Sequence, residues 1–159
     1  MVNKNHCTDE ERFPKRKSPR IPGYDYATPN YYFITICTHE KNCIFWSGGK
    51  LNTFGQIAFD AAMQISAHFP GNRVDRFVVM PNHIHMILVV EPGGTDATVV
   101  IGQYKSQVSK EIHKIDPKRK IWQTSFHDHG IRNYRQYQHI REYIETNPMR
   151  WKEDCFFVE

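Results

Sequence analysis

The histidines His83 and His85 stand two apart in the run RFVVMPNHIHMILVV. In a β-strand that spacing sends both imidazoles to one face, while Ile84 turns to the other and can pack in a core. Two imidazoles on one face can hold a single divalent metal ion. A second chemical pair is Tyr143 and Asn147, in REYIETNP. Residues four apart on a helix lie one above the other, so a phenol and an amide share one flank. The amide oxygen could complete a metal site begun by the histidines, and a nearby cation favours the oxyanion that makes a phenol a nucleophile. Each group also has a plainer reading. A lone strand histidine is more often a hydrogen-bonded core residue, and a lone helical tyrosine more often edges a buried face. A rival pair, His127 and His129 in SFHDHGIRN, sits in a polar segment with Gly130 that reads as a loop or a short strand edge. Neither histidine pair by itself identifies a chemistry.

The elements that must position these groups follow from periodicity. YYFITICT, Tyr31 to Thr38, is β-branched and aromatic and reads as a strand. Phe54 to Phe69 carries apolar residues at Phe54, Ile57, Ala58, Ala61, Ala62 and Ile65, the spacing of one helical face. Two apolar β runs then flank Pro81-Asn82, a hairpin-like reversal or a bulge, and EPGGT closes the second run. A second helix places Ile101, Tyr104, Val108, Ile112 and Ile115 on one stripe and Lys105, Lys110 and Lys114 off it, until Pro117 stops it. A third helix spans about Asn133 to Asn147, with Tyr134, Tyr137, Ile140 and Ile144 on its stripe and Pro148 beyond its end. The order β-α-β-β-α-α predicts an α+β fold, an antiparallel sheet with helices packed on it.

The chain's 159 residues suit one domain with a real core, and 40% hydrophobic content excludes a disordered protein. The first 22 residues read as a flexible basic arm, with Arg12, Lys15, Arg16, Lys17 and Arg20 clustered, and residues 23–159 as a single catalytic domain. The arm is either a solvated tail or a contact to DNA phosphates. A net charge of +4 allows a polyanionic partner without demanding one. Cys7, Cys37, Cys43 and Cys155 form no CxxC pair, which argues against a zinc ribbon or a disulfide framework and for reduced thiols. The longest apolar run is too short to cross a bilayer, and the N-terminus lacks a signal-peptide stretch, so the expected location is the cytoplasm with no membrane partner.

Taken in order, MPNHIHMIL, IWQTSFHDHGIRN and REYIETNPMRW, with PGYDY, YYFITICT and KSQVSKEI, resemble the single-tyrosine HUH transposases. The similarity is greatest to the branch associated with repetitive extragenic palindromic (REP) elements and extends from about Arg20 to Trp151. The ordered set is specific where any one piece is not. The resemblance implies a ferredoxin-like or RRM-like antiparallel sheet. It implies that His83 and His85 are the HUH histidines, that Tyr143 is the catalytic tyrosine, and that Asn147 completes the metal site. Many relatives carry Gln at this last position, so the shorter Asn sets this chain apart. Trp122, Gln123, His129 and Arg132 match recurrent positions around the site. The implied activity is site-specific cleavage and joining of single-stranded DNA at a folded hairpin or palindrome through a 5′-phosphotyrosine, with Mg²⁺ or Mn²⁺ as cofactor. Lys105, Lys110, Arg132 and Arg135 join the basic arm as candidate DNA-phosphate contacts, or are ordinary solvated charge. Relatives among insertion sequences imply a homodimer and the repeat-associated branch a monomer, so both states stay open.

Two other classes fit parts of the sequence. One is a non-catalytic RRM-like module in which sheet aromatics such as Tyr32 stack bases, although no RNP-type run is present. The other is a zinc-dependent hydrolase that uses His83, His85 and a third histidine to activate water.

Overall fold

A computed structural model describes residues 20–159. Arg12, Lys15, Arg16 and Lys17 lie outside the described residues. Four strands form the main sheet: β1 (Asn30–Cys37), β4 (Asn72–Val79), β5 (His83–Val90) and β6 (His127–Gly130). Their order across the sheet is β4-β5-β1-β6, and every neighbouring pair is antiparallel. A two-stranded ribbon of β2 (Trp46–Ser47) and β3 (Lys50–Leu51) precedes α1 (Thr53–Met63) and the short α2 (Ile65–His68). Helix α3 (Ala97–His113) links β5 to β6, and α4 (Tyr134–Thr146) follows β6 and runs into a 3-10 helix, Asn147–Glu153. The result is the ferredoxin-like antiparallel sheet with helices packed on it.

The two sheet faces have different cores. Ile34, Ile36, Ile84, Met86 and Leu88 face α1 and α3, where Ala58, Ala62, Ile101, Tyr104 and Val108 meet them. On the other face Phe33 and Ile87 receive Ile140 and Ile144 of α4. Strand β5 is therefore buried along its whole length, which is why HIHMILVV shows no polar-apolar alternation beyond its histidines. Helix α4 is held to the sheet by a second device. A bulge between Val74 and Arg76 leaves Asp75 outside the ladder, and its carboxylate accepts a 2.6 Å hydrogen bond from the Tyr137 hydroxyl.

Some expected boundaries shift. The helix read over 54–69 is broken at Gln64, so α1 and α2 are separate turns of chain. Ile115, expected on the α3 stripe, lies beyond the end of α3 and is exposed, and Tyr134 at the first turn of α4 is 72% exposed. The polar segment with His127 and His129 is a true strand, so the order is β-α-β-β-α-β-α. Tyr32 is buried against Tyr24 and Tyr26 with its hydroxyl on the Thr28 carbonyl, 2.8 Å away, and so has no free face for a base. Arg20 is not a free arm residue: it pairs with Asp128 at 2.8 Å and lies over the Phe126 ring. No helix among the described residues is long and apolar enough to cross a membrane.

Candidate functional site

The face carrying α4 is also the face carrying the histidines. Across β5 and β1 the register pairs His83 with Cys37, His85 with Thr35 and Ile87 with Phe33, and directly opposed side chains share a face. Strand β6 adds His127 opposite Thr35 and His129 opposite Phe33. Both imidazoles are fully buried, with ring centroids 4.6 Å apart.

Each ring is anchored through Nδ1. The Asn82 amide donates to the carbonyls of Lys41 and Phe156, which leaves its Oδ1 to accept from His83 Nδ1 at 2.9 Å. That network assigns the His83 proton to Nδ1 and a bare lone pair to Nε2. His85 Nδ1 lies 2.9 Å from the Thr35 hydroxyl. Both Nε2 atoms are buried and have no hydrogen-bond partner. Burial pushes His83 down to about 4, only partly offset by the Asp154 charge and the Asn147 amide. Burial, and then the neighbouring His83, push His85 well below the usual 6.5. Both rings are thus neutral at neutral pH, the form that ligates a metal.

Asn147 lies at the junction of α4 and the 3-10 helix and is buried. Its amide donates to Asp154 Oδ2 at 2.8 Å, and its Oδ1 is a further buried acceptor with no donor. Asp154 is the residue that the sequence reading missed. Its fully buried carboxylate sits 3.7 Å from His83 Nε2, and its other oxygen accepts from the Phe156 amide at 2.8 Å. Ligand atoms of His83, His85 and Asp154 all lie within 4.8 Å of one another. Two bare imidazole nitrogens, an amide oxygen and a carboxylate gathered away from water form an acceptor cluster with a donor deficit. Such a cluster is costly unless a cation occupies it. Cys37 shares the face, and burial pushes its thiol up to about 11, but the gathered ligand atoms are those of His83, His85 and Asp154. The signal for Asp154 in the sequence was faint: an acid set among Trp151, Phe156 and Phe157, seven residues beyond Asn147, the last of the motif's polar groups.

Tyr143 stands at the rim. Its half-buried ring lies 5.2 Å from His85, edge on, and 6.4 Å from Phe33. The other helical tyrosines point elsewhere: Tyr137 to Asp75, and Tyr104 into the opposite core with its hydroxyl on the Ala58 carbonyl. Phe156 covers His83 at 4.6 Å and Trp151 flanks it at 6.1 Å, so the C-terminal segment roofs the cluster. The basic residues are scattered by comparison. Arg132 and Arg135 are exposed around the start of α4, with Arg135 about 12 Å along the axis from Tyr143. Lys105 and Lys110 belong to α3, on the sheet's other side.

The site is thus an antiparallel α+β domain that sets a helical tyrosine beside a buried pair of neutral histidines with bare Nε2 atoms. Comparison with known proteins narrows this to one family. Residues 30–147 match the family described as "Transposase IS200 like", and the chain belongs to that family. It is 31% identical over 169 residues to an uncharacterised protein of Haemophilus influenzae, covering 91% of this chain and 94% of that one. It is 30% identical over 125 residues to the REP-associated tyrosine transposase of Escherichia coli K12, covering 79% of this chain and 70% of the relative. Its fold matches a solved structure of a REP-associated tyrosine transposase bound to a REP hairpin, with a TM-score of 0.64 at 23% identity, over 82% of this chain and 73% of that one.

Proposed function

We propose that this transposase cleaves and rejoins single-stranded DNA next to a hairpin, with Tyr143 as the nucleophile and a divalent ion at His83, His85, Asn147 and Asp154. The observation that carries the reading is the set of buried acceptors without donors, His83 Nε2, His85 Nε2 and Asn147 Oδ1, gathered with Asp154 beside the Tyr143 ring. The Tyr143 oxygen would form a bond to the scissile phosphorus while the bond to the 3′ oxygen breaks. The phenolic proton is lost and one is gained by the departing 3′-hydroxyl, leaving the downstream strand on the enzyme by its 5′ phosphate. Attack by another 3′-hydroxyl reverses the exchange on a new strand. One phosphodiester replaces another of similar energy, so no nucleotide cofactor is needed. A divalent cation supplies charge neutralisation of the phosphate oxygens and favours the phenolate.

The chain's own groups have distinct parts. Asn82 and Thr35 fix the imidazoles, His85 and Phe33 orient the phenol, and Asp154 adds the one formal negative charge of the ligand set. Nitrogen ligands suit Mn²⁺ at least as well as Mg²⁺, which prefers oxygen. Because Phe156 and Trp151 roof the histidines, a phosphate oxygen reaches them only when that segment shifts. Arg12, Lys15, Arg16, Lys17, Arg132 and Arg135 are proposed contacts to DNA phosphates, and residues 1–22 a basic arm attached to one catalytic domain.

A 3′-labelled hairpin oligonucleotide incubated with Mn²⁺ tests this on a denaturing gel. Wild type should carry the label covalently, Tyr143→Phe should not, and peptide mass spectrometry should place the nucleotide on REYIETNPMR. A second reading has a specific observation behind it: His83, His85 and Asp154 also make a plausible zinc set for water activation, with Asp154 in place of a third histidine. Hydrolysis that survives Tyr143→Phe without any adduct would establish that reading and end ours.

A further inference from the structure

On the sheet face that carries α4, one row of side chains runs across three strands: His85 of β5, Thr35 of β1 and His127 of β6. His85 and Thr35 are buried, with the Thr35 hydroxyl 2.9 Å from the ring. His127 is exposed at the sheet edge and makes no hydrogen bond or ion pair among the described residues. Two strand spacings, about 10 Å, separate its backbone from that of His85.

Helix α4 looks along this row. Its Arg141–Glu145 flank turns toward β4, where Glu145 pairs with Arg76 at 3.2 Å. Tyr143 lies two residues from each of them, about 200° round the helix. Its flank therefore turns the other way, toward His85 and Phe33 and, beyond them, β6. Displacement at phosphorus runs in line, with the attacking and leaving oxygens on opposite sides. A phosphodiester attacked from the α4 side thus presents its departing 3′ oxygen to the β6 side, where His127 stands. An alkoxide leaves readily only when a proton reaches it as the bond breaks. Imidazole is the side chain suited to lend and recover a proton near neutral pH.

We propose that His127 is the general acid for the departing 3′ oxygen in cleavage and the general base for the incoming 3′-hydroxyl in rejoining. The inference deepens the function proposed above and rests on it. As the Tyr143 oxygen bonds to phosphorus, the phenolic proton passes to water. As the bond from phosphorus to the 3′ oxygen breaks, its electron pair stays on that oxygen and takes the proton of the protonated His127 ring. The neutral ring then accepts the proton of the next strand's 3′-hydroxyl, whose oxygen bonds to phosphorus while the Tyr143 oxygen leaves and regains a proton from water. Neighbouring donors fit less well. His129, opposite Phe33, has its Nε2 buried, and the guanidinium of Arg132 does not give up a proton. Lys41 is the competitor. Its ammonium lies 5.7 Å from the centre of the Phe156 ring that covers His83, but it stands past the end of β1 rather than in the row that Tyr143 faces.

The test compares an ordinary hairpin substrate with one whose scissile 3′ oxygen is replaced by sulfur, because a thiolate departs without a proton. His127→Gln should slow single-turnover adduct formation on the ordinary substrate by about 10²-fold or more. The sulfur substrate should react at nearly the wild-type rate, and hairpin affinity by fluorescence anisotropy should be unchanged. Adduct prepared from the sulfur substrate should then be resolved slowly by a strand ending in a 3′-hydroxyl, because rejoining needs the same group as base. Equal slowing of both substrates, no slowing of either, or a loss explained by weaker binding overturns the assignment. The selective pattern in Lys41→Gln instead of His127→Gln overturns it in favour of Lys41. Any of these results with a wild-type protein that forms the adduct refutes the role of His127 alone. A wild type that forms no adduct with either substrate refutes the proposed function, and this role with it.

Discussion

His83 and His85 each engage the protein through Nδ1 and leave Nε2 bare, so their roles can be tested without disturbing the strand that carries them. His83→Ala or His85→Ala should lower cleavage by roughly 10²–10³-fold, the scale of losing charge stabilisation at a reacting phosphate. Hairpin affinity should stay near wild type; cleavage at the normal rate in the double variant would remove the metal assignment. Asn147→Ala should do less harm, because water can replace an amide oxygen. Asp154→Asn keeps the shape but removes the negative charge, so Mn²⁺ affinity measured by calorimetry should drop while the fold persists. Burial also predicts a pH effect in metal-free protein. Folded His83 titrates near 4, and an unfolded histidine near 6.5. Between those values the unfolded chain binds protons that the native protein refuses, so stability is full above about 6.5 and declines as pH falls toward 4. Thermal melts in chelator from pH 8 to 4 should show the decline, and it should shrink in His85→Asn. A transition temperature independent of pH over that range would contradict the burial of neutral rings.

At the scale of elements, α4 is the part whose placement decides whether Tyr143 meets the histidines. Ile140 and Ile144 seat it on Phe33 and Ile87, and Tyr137 ties it to Asp75 at the β4 bulge. Ile144→Ala should cost about 2–5 kcal/mol in chemical denaturation, as large-to-small core changes do. Single-turnover adduct formation should slow by more than the unfolded fraction explains, because the residue next to the nucleophile no longer fixes the helix roll. A rate that tracks only the folded fraction would show that α4 is positioned by its other contacts. This helix was legible in the sequence because its stripe repeats at helical period and Pro148 ends it. The histidine strand was legible from its two-residue spacing between apolar runs. Strand β6 was legible only as one of two readings, a loop or a short strand edge, since an edge strand of four residues with one buried position carries almost no periodic signal. Asp154 was beyond reach for a different reason: it enters the cluster through a non-repetitive turn after the 3-10 helix, and turn geometry leaves no period in the chain. Tyr134 shows the limit of the stripe argument, for its first-turn position carries it past the edge of the sheet's core and into solvent.

Charge is distributed unevenly over the whole molecule, and that distribution should govern how DNA is captured. Residues 1–20 contribute six Lys and Arg against three acids, +3 of the chain's +4, so the remainder is close to neutral and its cations act through local placement. Four of the arm's cations, Arg12, Lys15, Arg16 and Lys17, fall within six residues, whereas Arg20 is already fixed to Asp128. A deletion that ends at residue 19 therefore separates the arm from the anchored arginine. If the arm lies along DNA, each lost phosphate contact removes about 0.9 from the slope of log K against log salt, and the effect is independent of base sequence. Replacing the four cations by Gln in the full chain should reproduce the slope change of the deletion, which distinguishes their charge from the rest of the segment. With DNA saturating, the rate of adduct formation should match that of the full chain, because His83, His85, Tyr143, Asn147 and Asp154 all come from the folded domain. A deletion that leaves both affinity and slope unaltered would mark the arm as a solvated tail. One that lowers the saturated rate would instead mean that the arm reaches the chemistry itself.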